Sequence, residues 1–171
     1  MSFIAMLMAI AHTGLALLLS ISLWFGQPLA QAVLYQPELS YSESTLVNED
    51  FSGQTLAKAE FAGCTLRSVD FTDADLRGTT FSVSWMTDVS FRGADLSNSM
   101  LDQVTFKTVD LRDAVLTDVI FLRSKFENVQ IAGADFTDAI LDGSQVNKLC
   151  QMAEGINPKT GVATRDSLYC R

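Results

Sequence analysis

The chain is poor in the residues that carry most enzyme chemistry. Its 171 residues hold a single histidine, His12, and that lies in an apolar N-terminal stretch. Everything after it lacks an imidazole, which removes Ser-His-Asp and Cys-His nucleophilic schemes and most zinc sites. No P-loop, dinucleotide-binding glycine motif or EF-hand loop occurs. Positive charge is also scarce. Twelve Lys and Arg stand against twenty Asp and Glu, a net charge of −8, and none precedes Lys58. Nucleic acid is therefore not an expected partner, because phosphate contacts need clustered cations.

The first acid is Glu38, so the N-terminal region is uncharged. Residues 3–25 are almost wholly apolar, and Gln27-Pro28 then leads to Ala30-Gln31-Ala32, a small-x-small site of the type leader peptidases cut. Residues 1–32 read as a signal peptide, although the stretch ahead of the apolar run lacks the usual positive charge. The alternative is a retained membrane anchor, since the run is long enough to cross a ~30 Å hydrocarbon layer. A membrane contact is expected only in that case.

What is abundant is a repeat. Large apolar residues occupy every fifth position without a slip: Leu46, Phe51, Leu56, Phe61, Leu66, Phe71, Leu76, Phe81, Met86, Phe91, Leu96, Leu101, Phe106, Leu111, Leu116, Phe121, Phe126, Ile131, Phe136, Leu141 and Val146. On an α-helix a step of five would scatter them around the axis. On a continuous strand an odd step would alternate faces. The chain must turn once per unit. Two residues before each large side chain stand slim ones such as Cys64, Val69, Ala74, Ala94 and Val104, which share the inward face. Two residues after come turn formers such as Asn48, Gly53, Gly63, Asp73, Gly78, Asp88 and Asn98.

The pattern A/S/V-x-L/F-x-G/N/D resembles the pentapeptide-repeat family. In that family four units make one square coil, so the resemblance implies an all-β solenoid, a right-handed quadrilateral β-helix of about five coils. Residues 44–148 would form the helix and stack Leu46, Leu66, Met86, Phe106, Phe126 and Val146 in one column. Residues 33–43, which include Pro37, are the expected N-terminal cap. A tube filled by its own side chains leaves no internal cavity, so function is expected on the outside or at the ends.

After Val146 the pattern stops. Residues 149–171 read as a C-terminal cap of two short helices, the first expected over 147–154 and the second over 164–169, with a Pro-led loop around Pro158. Cys150 and Cys170 flank this hairpin and are the expected structural disulfide. Cys64 occupies a slim core slot and reads as a buried free thiol. This tail is similar to the disulfide-clipped cap of lumenal pentapeptide-repeat proteins of cyanobacteria and chloroplasts, which implies a thylakoid-lumenal or periplasmic location.

The outward columns hold the candidate sites. Asp75, Asp95 and Asp135 stack on one side near Asp118 and Asp138, an expected solvated acidic face. Asp73 and Asp75 offer paired carboxylates, but no apolar pocket surrounds them to raise a pKa. Arg92 and Arg112 fall one coil apart, with Asp70, Asp73, Asp110 or Asp113 as expected ion-pair partners. The last face reads Glu60, Thr80, Met100, Ile120, Ile140 with Leu122 beside them, an apolar stripe where water is expected. It is a protein-partner or homodimer surface, a strip covered by the cap helices, or the outcome of β-propensity alone. Trp85 is a lone outward aromatic.

No enzyme activity and no cofactor is expected. The leading functional reading is a non-catalytic interaction or structural module in the thylakoid lumen or periplasm, one that would support assembly of membrane complexes. The alternatives are a DNA-mimicking topoisomerase inhibitor, which the family resemblance allows, and a membrane-tethered structural subunit.

Overall fold

The computed structural model describes residues 39–171. The leader and the part of the expected N-terminal cap before Leu39 lie outside the described residues. From Ser40 to Ile140 the chain winds as a parallel solenoid with four faces. One face carries the regular strands β1 (Thr45–Val47), β2 (Thr65–Arg67), β3 (Trp85–Thr87), β4 (Thr105–Lys107) and β5 (Lys125–Glu127). They pair in parallel in sequence order, with Leu46, Leu66, Met86 and Phe106 each opposite the residue twenty positions on. The other three faces are held by single bridges, such as Asp50 to Asp70, Thr55 to Asp75 and Met100 to Ile120.

Each rung is sealed by backbone hydrogen bonds along the axis. Phe51 N–H donates to Asp70 O at 2.8 Å, and Asp70 N–H donates back to Glu49 O at 3.0 Å. The strands enclose four full turns, where the family resemblance implies about five. The outermost part-coils pair only through isolated bridges, so the count falls at the ends.

The expected core is present. Every fifth residue from Phe51 to Phe136 is buried, because the short extended stretch on each face turns its middle side chain inward. Phe51, Phe71 and Phe91 stack with ring centroids 5.1 Å apart at each step. Tyr41, Phe61 and Phe81 form a parallel stack at 4.9 and 4.8 Å. Adjacent stacks meet edge to face, as Phe61 does with Phe71 at 84°, an arrangement that favours aromatic quadrupoles.

Four slim slots are polar. Thr79, Ser84, Ser99 and Ser124 are buried; the three serines bond the backbone of the preceding coil, and Thr79 bonds Leu76 O in its own. The Ser84 hydroxyl accepts from Cys64 N–H at 3.0 Å and donates to Phe61 O at 2.9 Å. Ser124 repeats this two coils on in the same column, accepting from Val104 N–H at 2.9 Å and donating to Leu101 O at 2.5 Å. Burial costs these hydroxyls little because both roles are filled.

The corners share one backbone geometry whatever residue occupies them. Gly53, Gly93 and Asn98 have the expected positive φ, but so do Lys58, Val83, Gln103 and Arg123. Winding imposes the left-handed conformation and residue type only sets its cost.

The repeat ends earlier than its spacing suggests. Helix α1 runs from Gly143 to Cys150, so Val146 sits on a helix, half-buried, and not in a solenoid column. Leu46 and Leu141, at the two ends of the core, are likewise only partly covered. The physical reason is a capping box. Asp142 accepts from Ser144 N–H and Gln145 N–H, while Gln145 Oε1 accepts from Asp142 N–H at 2.7 Å. Gln145 then turns its Nε2 onto the open edge of the last coil and donates to Phe121 O and Ser124 O, both at 2.8 Å. Lys148 donates to Phe126 O, and Leu149 plugs the tube with no exposed surface. Helix α2 covers Thr164–Ser167, two residues shorter than expected, because Tyr169 takes a positive φ of 54°. Cys150 and Cys170 form the expected disulfide, with Cα atoms 5.6 Å apart.

Candidate interaction face

The fourth face carries the apolar stripe. Its outward residues follow the bridges Glu60 to Thr80, Thr80 to Met100, Met100 to Ile120 and Ile120 to Ile140, so they form one continuous ladder along the axis. Each stands immediately before an inward core residue, which forces its own side chain out. Met100 is 45% exposed, Leu122 41% and Ile140 47%, and Ile120 is half-buried between its neighbours. The cap helices pack on the end of the tube and leave Ile140 open. The stripe faces water.

Acids flank it. Asp118 and Asp138 occupy the preceding corner at φ 56° and 57°, and both are exposed. Neither carboxylate has an ion-pair or hydrogen-bond partner among the described residues. On the other flank, Asp102 accepts from the Ser82 hydroxyl at 2.5 Å and from Gln103 at 3.1 Å. Those bonds, with Arg123 nearby, hold its carboxyl below the usual range.

The expected acidic face is different from its sequence reading. Val115 stands between Asp95 and Asp135 in that column. Asp135 is 1% exposed and accepts from Thr137 N–H and its hydroxyl at 2.9 and 2.6 Å. Asp95 does the same for Ser97. Asp75 is paired with Arg77 at 2.7 Å, and that bond lowers its pKa. These carboxylates act as turn caps, and Arg77 also pairs with Asp75 and lies 4.0 Å from Asp95. Asp118 and Asp138 remain open, and they belong to the fourth face. Arg112 pairs with Asp110 at 2.6 Å and Arg92 stands 3.7 Å from Asp113. Trp85 is 65% exposed at the start of β3.

One feature has no local signal in the sequence. The loop between α1 and α2 runs back down a corner of the solenoid as a strap. Gly133 N–H donates to Glu154 O at 2.8 Å. Asn157 is buried, and its Nδ2 donates to Gly133 O, Ala114 O and Asp113 O at 2.9, 3.0 and 3.2 Å. Lys159 reaches Gly93 O and lies 3.8 Å from the Asp73 carboxylate. Asn157-Pro158-Lys159-Thr160 reads as a plain turn; only the winding brings four coils under it.

The tube is filled by its own side chains, Cys64 among them. Cys64 donates its thiol to Tyr41 O at 3.0 Å, and burial raises its pKa, which leaves it an unreactive core group.

The comparisons agree with this architecture. The model for pentapeptide repeats matches residues 46–82 and 106–143. The chain is 49% identical over 47 residues to the chloroplastic thylakoid lumenal 15 kDa protein 1 of Arabidopsis thaliana, and 56% identical over 41 residues to the thylakoid lumenal protein TL20.3 of the same plant. Those alignments span 21% and 15% of the two relatives' own lengths. A crystal structure of a pentapeptide repeat protein from the Arabidopsis thaliana thylakoid lumen superposes with a TM-score of 0.61 at 33% identity, covering 87% of this chain and 99% of that one. With a five-residue core period, four-faced winding and a relative matched along its whole length, the chain belongs to the pentapeptide-repeat family.

Proposed function

We propose that this chain is a non-catalytic protein-interaction module of a thylakoid-lumen or periplasm-type compartment, and that it binds its partner through the fourth face. The observation that carries the reading is the exposed Met100, Ile120 and Ile140 ladder with Leu122 at its side. A contiguous apolar strip on the outside of a filled tube has no structural task in the isolated chain. The lumenal relatives support the compartment, as does the leader reading.

DNA mimicry, which the family resemblance allows, is disfavoured by the acidic column, since Val115 interrupts the acids and Asp135 is buried under its own hydrogen bonds. The membrane-tethered reading turns on whether residues 1–32 are retained.

The test is a photo-crosslinking residue placed at Leu122 in the native compartment, with N-terminal mass determination on the same sample. A discrete crosslinked protein, lost in Ile120→Asp, is the expected result. Crosslinks that persist in Ile120→Asp, or none above those from a residue on the β1–β5 face, would remove the fourth face from consideration.

A further inference from the structure

We infer that the occupant of the fourth face is a basic amphipathic helix of another protein, and not a second copy of this chain; this rests on the interaction reading above. Two observations carry it, one geometric and one electrostatic.

The geometric one is the rung spacing. Met100, Ile120 and Ile140 are successive rungs of a parallel ladder, so they stand about 4.8 Å apart and span about 10 Å along the axis. A helix laid along that axis presents apolar residues at i, i+3 or i+4, and i+7, which span about 10.5 Å at 1.5 Å per residue. Its pitch of about 5.4 Å nearly matches the rungs. An extended segment repeats on one face every two residues, about 6.7 Å, and slips out of register by the second rung. Leu122 widens the strip at the Ile120 rung.

The electrostatic observation is the flank. Asp118 and Asp138 lie one coil apart on the corner beside Ile120 and Ile140, exposed and without a cation among the described residues. Asp102 and Asp142 stand on the other side. Of the cations in the flanking columns, Lys58 lies three coils before Asp118, and Arg123 stands on the Asp102 side of the strip, near Asp102. Uncompensated charge at the rim of an apolar strip selects the partner's sign and speeds encounter.

The same flanks disfavour self-association. In an antiparallel face-to-face pair, Asp118 and Asp138 of one copy meet those of the other. In a parallel pair they meet Asp102 and Asp142, with Arg123 the lone relief. Like charges opposed across an interface are costly.

The probe is a pair of fluorescent helix-forming peptides with leucines at i, i+4 and i+7. One is flanked by lysines and the other by glutamates, and each is titrated into the full chain at low salt. The lysine peptide is expected to bind and the glutamate peptide not to. Replacing both corner acids (Asp118→Asn with Asp138→Asn) should weaken the lysine peptide roughly three- to tenfold, the range for two exposed charges. Raising the salt should weaken it in the same direction. Asparagine tolerates positive φ, so this variant keeps the corner, and an unchanged melting temperature verifies that. Ile120→Asp should abolish binding.

Equal binding of the two peptides, or no loss in the double Asn variant, overturns the charge argument. Binding of neither peptide overturns the helix. A chain that dimerises on its own and becomes monomeric in Ile120→Asp makes a second copy the occupant. A crosslink at Leu122 in the native compartment alongside peptide failure rejects this inference while the fourth face stands; loss of both removes the face as well.

Discussion

Gly155 lies against Gly133 so closely that a methyl group on Gly155 would stand 2.8 Å from the Gly133 nitrogen. That nitrogen donates to Glu154 O, so the strap is joined to the last coil at the point where it has least room. Gly155 also has φ of 81°, as Gly161 has 75°, but nothing lies within 4 Å of a Cβ at Gly161. Gly161→Ala should cost only the left-handed penalty of about 1–2 kcal/mol. Gly155→Ala should cost more, because the backbone must also move and stretch a hydrogen bond. Chemical denaturation of the two variants gives the comparison; equal losses would mean the strap is not seated as described.

Val83 is a β-branched residue held at φ of 61° with 55% of its surface exposed. Its side chain recovers little for the strain. Val83→Asn should raise stability by about 1 kcal/mol, seen as a higher melting temperature with unchanged circular dichroism. A drop would show that Val83 packs on something other than solvent.

Ser124 is the partner of Val104 N–H, which has no other acceptor among the described residues. Ser124→Ala buries that donor unpaired and should cost about 1–3 kcal/mol. Ser52→Ala, which removes an exposed hydroxyl bonded to Asp50, should stay within about 0.5 kcal/mol.

The Cys150–Cys170 bridge closes twenty residues of chain. Its removal by paired Cys→Ser substitution should cost about 3 kcal/mol. Hydrogen exchange should place the loss in residues 143–171, while amides of the inner coils such as Phe71 and Phe91 keep their protection.

Stability should be nearly flat from about pH 5 to 8, because no histidine follows His12. It should fall in acid. Asp75, Asp102 and Asp110 all have carboxyls held below 3.8 in the folded chain. For Asp75 and Asp102 hydrogen bonds dominate; for Asp110 burial opposes the shift, and its bonds to Arg112 outweigh it. A carboxylate depressed by folding contributes stability above its unfolded pKa and loses it as pH drops through the folded one. Melting temperatures should therefore decline progressively below about pH 4. A transition near pH 6 would point to a titrating group outside this set.

Much of this architecture is legible in sequence because a five-residue period admits few backbones. Phe71, Phe91 and Leu116 had to point the same way, and a chain that turns once per unit was the way to do it. The stripe of Met100, Ile120 and Ile140 was legible for the same reason: once the inward position is known, its predecessor faces out. The failures come where the period is silent. Gly143 and Val146 fit the repeat by type, yet the Asp142–Gln145 capping box outcompetes it as soon as no further coil exists to pair with. Spacing puts Asp135 in a solvated column because it assigns direction and not cover, and the structure buries it. Asn157 and Lys159 find their acceptors 24 to 66 residues away, and no local pattern encodes that.

The strap also sets a rule for how this rod can change length. Its anchors, Gly133, Ala114 and Gly93, sit on successive coils, so it measures a fixed stretch of the C-terminal half. A whole coil inserted between Gly93 and Gly133 would move Lys159 about 4.8 Å out of reach. One inserted before Asp73 would leave every anchor in place. Growth and shrinkage of such a rod are thereby confined to the end that enters from the N-terminus, and the fourth face keeps its distance from the clasped end.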